Sequence, residues 1–202
     1  MTRKLRHHQY ERLKSLAADL IEDYGLSYPL QPFAIAELLG VQVTIHPLGL
    51  PLTARLCDTD DGYTEAVTSD YGTKFQIHLS GTKPPLRQRF TVMHEIAHIW
   101  GDHLRPGRSI ERETAEAEAN FLAGYLLAPD ALITAWVPEL DIATIAAVFQ
   151  MSEEAAGIAH GRVVRAHTRN ALGRSHDLRI VASARRGVQT GFLSPGTLWE
   201  SA

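Results

Sequence analysis

Apolar residues recur along this chain with two periods, and the change of period divides it. Across 9–25, Leu13, Leu16, Leu20 and Ile21 keep helical spacing, and Gly25 closes the segment. Pro29 and Pro32 mark a turn, and a short helix is predicted over 33–39, ended by Gly40. Residues 41–45 then alternate as a strand does. The alternation continues in three segments, 55–57, 63–68 and 73–79, separated by turn-forming runs at 58–62 and 69–72. Together these predict a β-meander over 41–80. The segment 73–79 leads straight into the next helix, which makes it a candidate edge for pairing with an extended peptide.

The helical period returns after Pro84 and Pro85, residues that a helix start tolerates. Phe90, Met93, Ala97 and Trp100 follow a buried stripe, with His94 and His98 on the stripe beside it. A second helix is predicted over 111–128, with glutamates crowding its positive end and Pro129 stopping it. Three more follow: 131–136 capped by Asp130, 142–149 capped by Asp141, and a longer one from Ser152 to about Arg169. From Asn170 onward, glycines, serines and scattered arginines suggest irregular structure with a short strand at 178–182. The expected fold is α+β: a mostly helical core with a small antiparallel sheet beside the His94 helix. We expect one domain over 1–169, built from N-terminal helices, the meander 41–80, the helix pair 86–129 and C-terminal helices 130–169. A basic, partly irregular tail, 170–202, follows it.

Composition narrows the functional classes. With 202 residues and 45% hydrophobic content, the chain can bury one good core. No run of about 18 uncharged apolar residues exists, so no membrane span is expected. The basic N-terminus is interrupted by charge and lacks a signal-peptide core. Cys57 is the sole cysteine, which forbids an internal disulfide and fits a reducing cytoplasm. A net charge of −3 gives no overall basic character to attract nucleic acid.

The chemistry concentrates at His94-Glu95-Ile96-Ala97-His98. On a helix, residues four apart share one face about 6 Å apart, so two imidazoles can bind one zinc ion. Glu95 can then reach a water beside them as a general base. A third ligand is needed. The pattern that continues with glycine and a third histidine finds Gly101 in place but Leu104 at the ligand position, with His103 one residue short. That leaves a carboxylate on the following helix: Glu111, Glu113, Glu116 or Glu118. Glu116 shares a face with Asn120, Ala123 and Leu127 that could pack on the histidine helix, and is favoured; Glu118 is the second choice. Asn120 could supply a supporting hydrogen bond to a zinc-bound histidine. His103 could bond a carboxylate behind the ligands or sit at the helix C-terminus, where positive charge is favoured. His78, Tyr71 and Tyr125 are candidates for contacting substrate or a developing oxyanion.

At this point the sequence resembles the ImmA/IrrE metallopeptidases. The resemblance rests on Arg89-Phe90-Thr91 before the His94–His98 motif, on Glu116-x-Glu118-Ala119-Asn120-x-x-Ala123, and on Leu126-Leu127-x-Pro129. It implies a gluzincin-like zinc centre with His94, His98 and Glu116 as ligands and Glu95 as catalyst. It also implies a partner: such proteins act on helix-turn-helix repressors of mobile elements or stress regulons. Two rival readings stand beside a zinc endopeptidase. One is a repressor-binding protein that does not cut. The other is a DNA-binding regulator acting through 142–186, since the last two helices resemble a helix-turn-helix. Seven arginines follow His160 (162, 165, 169, 174, 179, 185 and 186). The turn Gln150-Met151 lacks the usual glycine.

Overall fold

The computed structural model describes residues 4–50, 61–69, 72–105 and 107–189. The candidate strand 55–57 and Tyr71 lie outside the described residues. The order of elements is α1 (His7–Asp23), α2 (Pro32–Leu38), β1 (Gln42–His46), β2 (Gly62–Ser69) and β3 (Gly72–Ser80), then six helices. These are α3 (Pro85–Trp100), α4 (Arg112–Leu127), α5 (Asp130–Trp136), α6 (Ile142–Phe149), α7 (Glu153–Thr168) and, beyond the expected five, α8 (Ser175–Gln189). The fold is α+β, and the chain forms two compact units: residues 1–13 with 31–127, and residues 14–30 with 128–202.

The first unit is built on the sheet. β2 and β3 form the hairpin that the turn residues predict, with Ser69 opposite Gly72 and Tyr63 opposite His78. The pairing of β1 departs from expectation. It runs parallel to β3, with Val43 opposite Ile77, so the strand order is β1-β3-β2 and the sheet is mixed rather than antiparallel. A tight turn forces antiparallel neighbours, whereas β1 and β3 are separated along the chain by β2, so no tight turn sets their direction. This order also makes β3 the central strand. Both of its backbone edges are engaged, so β3 is not the edge that an extended peptide could join.

One face of the sheet packs on α3. Ile77 and Leu79 are fully buried there, as are Val92, Met93 and Ile96 of α3. Pro84 and Pro85 open α3, where the missing N–H costs nothing. Gly62 is placed by this contact, because a Cβ there would lie 2.7 Å from the Thr91 methyl group and 2.9 Å from the His78 carbonyl oxygen. A larger residue would push β2 away from the helix. α4 lies against α3, and Ala115, Ala119 and Ala123, one turn apart on α4, are buried.

The second unit is helical, with Leu20, Leu132, Ile133, Ile145, Phe149, Val163 and Ile180 fully buried. Asp141 caps α6 by accepting from the Thr144 amide at 2.7 Å, and Ser152 caps α7 by accepting from Ala155 at 3.2 Å, both as expected. Asp130 differs. α5 starts at Asp130 itself, and its carboxylate is fully buried between Arg162 Nε at 2.5 Å and Lys14 Nζ at 3.3 Å. It pairs cations instead of capping. The expected strand at 178–182 is also corrected, since those residues lie within α8. A run of β-branched and small residues there suggests a strand. Yet the buried positions His176, Asp177, Ile180, Ser183 and Ala184 repeat with helical period. Asp177, at the third helical position, also accepts from the Arg174 amide at 3.2 Å, which is half of a capping box. Among the described residues no helix is long and apolar enough to cross a membrane.

Candidate metal centre

α3 carries His94, Glu95 and His98 because its sequence is an uninterrupted helix over 85–100. His94 and His98 stand one turn apart and turn the same nitrogen inward: their Nε2 atoms are 3.1 Å apart. α4 supplies the third donor. Glu116 Oε2 lies 3.3 Å from His94 Nε2, and Glu116 Oε1 lies 3.5 Å from His98 Nε2. Four tetrahedral ligands at zinc bond lengths sit about 3.3 Å from one another. One ligand atom from each of the three residues lies within 4.8 Å of the others, close enough to share one ion, and the donor set of two imidazoles and a carboxylate suits zinc chemistry. The histidine side chains are mostly buried, whereas that of Glu116 is 42% exposed, so the centre opens toward solvent on the α4 side. Hydrogen bonds from His94 and His98 hold the Glu116 carboxyl far below the usual carboxylate range, against the opposing effect of burial.

Glu95 is not one of these three donors. It is buried, and its Oε2 accepts from the Thr64 hydroxyl on β2 at 2.6 Å. Alternation on β2 places Thr64 on the face packed against α3, with Tyr63 and Glu65 on the other. Apart from its place in that alternation, nothing in the sequence singles out Thr64.

Behind the histidines runs a second set of contacts. His103 Nδ1 is 3.2 Å from His98 Nδ1, and His103 Nε2 is 3.2 Å from Glu118 Oε2. Glu118 is also bound by the Arg12 guanidinium and by Gln9 Nε2, the latter at 3.0 Å. Burial alone would raise the Glu118 carboxyl, but the bonds from Arg12, Gln9 and His103 outweigh it and keep it below its ordinary value. Burial and the neighbouring His98 push His103 down to about 4, against the pull of Glu118, so its ring is neutral near pH 7. Glu118, the second choice for third ligand, thus faces His103 rather than the Nε2 pair, and Glu116 is the acid that meets both histidines.

The remaining expected site residues fall elsewhere. Asn120 is exposed and makes no hydrogen bond among the described residues, so the contact to a candidate ligand from behind comes from His103 instead. A side chain one turn beyond Glu116 on α4 points outward at that level, whereas the chain after α3 turns back toward His98. His78 lies on the sheet face away from Thr64, 3.0 Å from His46 Nε2 and stacked on Tyr63 at 4.7 Å. Tyr125 is fully buried and stacks on Phe121 at 5.8 Å. Neither reaches the centre's open side. Arg12 and Gln9 were invisible to spacing, being more than 100 residues from Glu118 along the chain.

With this geometry in place, comparison with known proteins adds one positive finding. A peptidase family model described as the IrrE N-terminal-like domain matches residues 36–159, more than half of the chain and the whole of the site on α3 and α4. No curated protein matches the chain.

Proposed function

This chain belongs to the IrrE N-terminal-like peptidase family, and from that premise we propose that it is a zinc-dependent endopeptidase of the gluzincin type. His94, His98 and Glu116 would hold the ion, and Glu95 would be the general base. The observation that carries this reading is the convergence of His94 Nε2, His98 Nε2 and the Glu116 carboxylate, whose two oxygens lie 3.3 and 3.5 Å from those nitrogens, beside a second carboxylate that is not one of the donors. A divalent metal bound there supplies Lewis acidity toward the peptide carbonyl and makes water a stronger acid.

The chain's own residues supply the proton transfers. The Glu95 carboxylate removes a proton from the attacking water as its oxygen bonds to the carbonyl carbon. It then delivers that proton to the amide nitrogen as the carbon–nitrogen bond breaks. Thr64 holds Glu95 Oε2, which leaves Oε1 to exchange the proton and fixes the plane in which it does so. The test pairs metal content with activity. Purified protein should carry about one zinc per chain, and Glu95→Gln should keep that zinc while losing proteolysis. A Glu95→Gln variant that cleaves as well as the parent overturns the mechanism.

The substrate we propose is a helix-turn-helix transcriptional repressor in a stress-response or mobile-element circuit, in a reducing cytoplasm that suits the single Cys57. Co-incubating a repressor encoded beside this gene with the parent and with Glu95→Gln tests it. Cleavage by the parent alone supports the proposal. Binding without cleavage by both points to a repressor-binding protein instead.

A DNA-binding role for 142–186 has one feature in its favour: α6 and α7 are joined by a short turn at Gln150, which takes a left-handed conformation. Charge placement weighs against it. α7 opens with Glu153 and Glu154, the end that would approach phosphates, and Arg162 and Arg179 are engaged in ion pairs with Asp130 and with Asp19 and Glu22.

A further inference from the structure

We propose that α7 pairs with α7 of a second copy of this chain, antiparallel about a two-fold axis, with Ile158 of each copy seated against Gly161 of the other. This surface belongs to the second unit and does not depend on the peptidase reading.

α7 has two faces. Ala156, Ala159, Val163 and Ala166 are buried, and the helix packs on α5 and α6. At about 100° per residue, Glu154, Ile158, Gly161 and Arg165 fall on the opposite side as one stripe. Ile158, at the middle of that stripe, is 66% exposed. Glycines in the body of a helix weaken it, yet α7 carries two, Gly157 and Gly161, and neither makes room for a neighbour. A Cβ at Gly157 would meet nothing within 4 Å, and one at Gly161 only the tip of the Arg165 guanidinium at 3.3 Å. The bare backbone therefore leaves a shallow recess on the outside of the helix, directly beside a projecting isoleucine.

Charge identifies what covers this face. Glu154 and Arg165 are exposed, and neither forms an ion pair among the described residues. Each suits its own end of the helix, acid near the N-terminus and base near the C-terminus. They lie at equal distances from the middle of the stripe, about 8 Å to either side at 1.5 Å per residue. A second copy laid antiparallel over that midpoint sets Glu154 of each chain opposite Arg165 of the other, in two equivalent pairs. Laid parallel, it would set like charge against like. The same two-fold brings Ile158 level with Gly161 of the second copy, where the missing side chain leaves room for it. The surface is thus complementary to itself, as a two-fold interface requires. One helix pair buries little area, so the dimer is weak, with a Kd of roughly 10–100 μM.

Sedimentation velocity of the full chain tests the pairing. Between roughly 5 and 500 μM the parent should pass from monomer to dimer. Ile158→Asp, Glu154→Arg and Arg165→Glu should each weaken the dimer by about tenfold or more, since each sets a charge against an apolar contact or against its like. Mixing the Glu154→Arg and Arg165→Glu chains in equal amounts should restore dimers, because every cross pair then joins an arginine to a glutamate. A chain carrying both substitutions should pair with itself again. All three side chains are exposed, so thermal melts of the dilute variants should match the parent and confirm that they fold. A parent that stays monomeric throughout, single variants that dimerise like the parent, or a mixture of the two charge variants that remains monomeric would each overturn the pairing.

Discussion

The Thr64 hydroxyl and the Glu95 carboxylate meet at 2.6 Å, although one belongs to a strand and the other to a helix. Gly62, two residues before Thr64, is what lets that strand lie so close to Thr91 of the helix. The pair therefore joins packing of the sheet to the orientation of the proposed base. Thr64→Val keeps the shape and removes the donor. A hydrogen bond to a charged group is worth about 1.5–3 kcal/mol, so kcat should fall roughly 10–100-fold, with zinc content unchanged. Thr64→Ser should retain most activity. Equal losses for both variants in a cleavage assay would show that the methyl group matters and the hydroxyl does not.

Removing the metal should show in stability as well as activity. At free zinc about 100 times Kd, binding adds about 2.7 kcal/mol to the folded state. For a chain of this size that raises Tm by roughly 5–10 °C. Chelator should abolish the increment in the parent, and Glu116→Ala should show none at the same zinc concentration. Glu118→Ala tests the alternative ligand. If it loses zinc completely while Glu116→Ala retains it, the donor set is misassigned.

Asp61 ties the start of β2 to the start of α3. It accepts from Arg87 Nε at 2.9 Å, and Lys83 lies 3.2 Å away. Burial would raise its carboxyl, but the bonds from Arg87 and Lys83 prevail and hold it below its ordinary value. A depressed folded pKa contributes stability that is fully present above the unfolded value, about 3.9. That stability is lost as pH falls through the lower folded value. Arg87 is largely exposed, so the pair should contribute only roughly 0.5–1 kcal/mol. Urea titrations should show Asp61→Asn less stable than the parent by that amount at pH 7, with the gap closing below about pH 4. A gap that widens on acidification would refute the pairing.

Arg162 offers a test that also bears on DNA binding. Its partner Asp130 is fully buried, so Arg162→Met leaves a buried carboxylate with only Lys14. Such a loss should cost about 3–5 kcal/mol, lowering Tm by roughly 10 °C or more. The double variant Arg162→Met with Asp130→Leu should recover much of it. A surface arginine used for nucleic acid would instead leave the melting temperature unchanged.

How much of this was legible in the sequence depended on the distance between partners along the chain. His94 and His98 declare themselves because a helix fixes their spacing, and Glu116 follows once the next helix is given a face. Asp141 and Ser152 were readable as caps for the same local reason. The pairing of β1 with β3 was not readable, since alternation identifies a strand but not its neighbour. Asp130 has the residue type and position of a cap, yet Arg162, brought beside it by tertiary packing, claims its carboxylate. Asn120 misled because one face of a helix was treated as uniform, whereas the chain reversal after Trp100 brings a different side chain, His103, behind His98. The helix at 175–189 was hidden by Ile180 and Val181, whose β-branching outweighed the period of the buried positions around them.

The link from Arg12 to Glu118 spans 106 residues. During synthesis at about 5–20 residues per second, the amino-terminal helix would wait roughly 5–20 s for its acidic partner to emerge. Until then its acidic partner is missing, and the contacts behind the candidate metal centre stay incomplete. Clipping away the first dozen residues of the finished protein would undo the same link without altering His94, His98 or Glu116. Such a nick would act on the candidate metal centre from the far end of the chain.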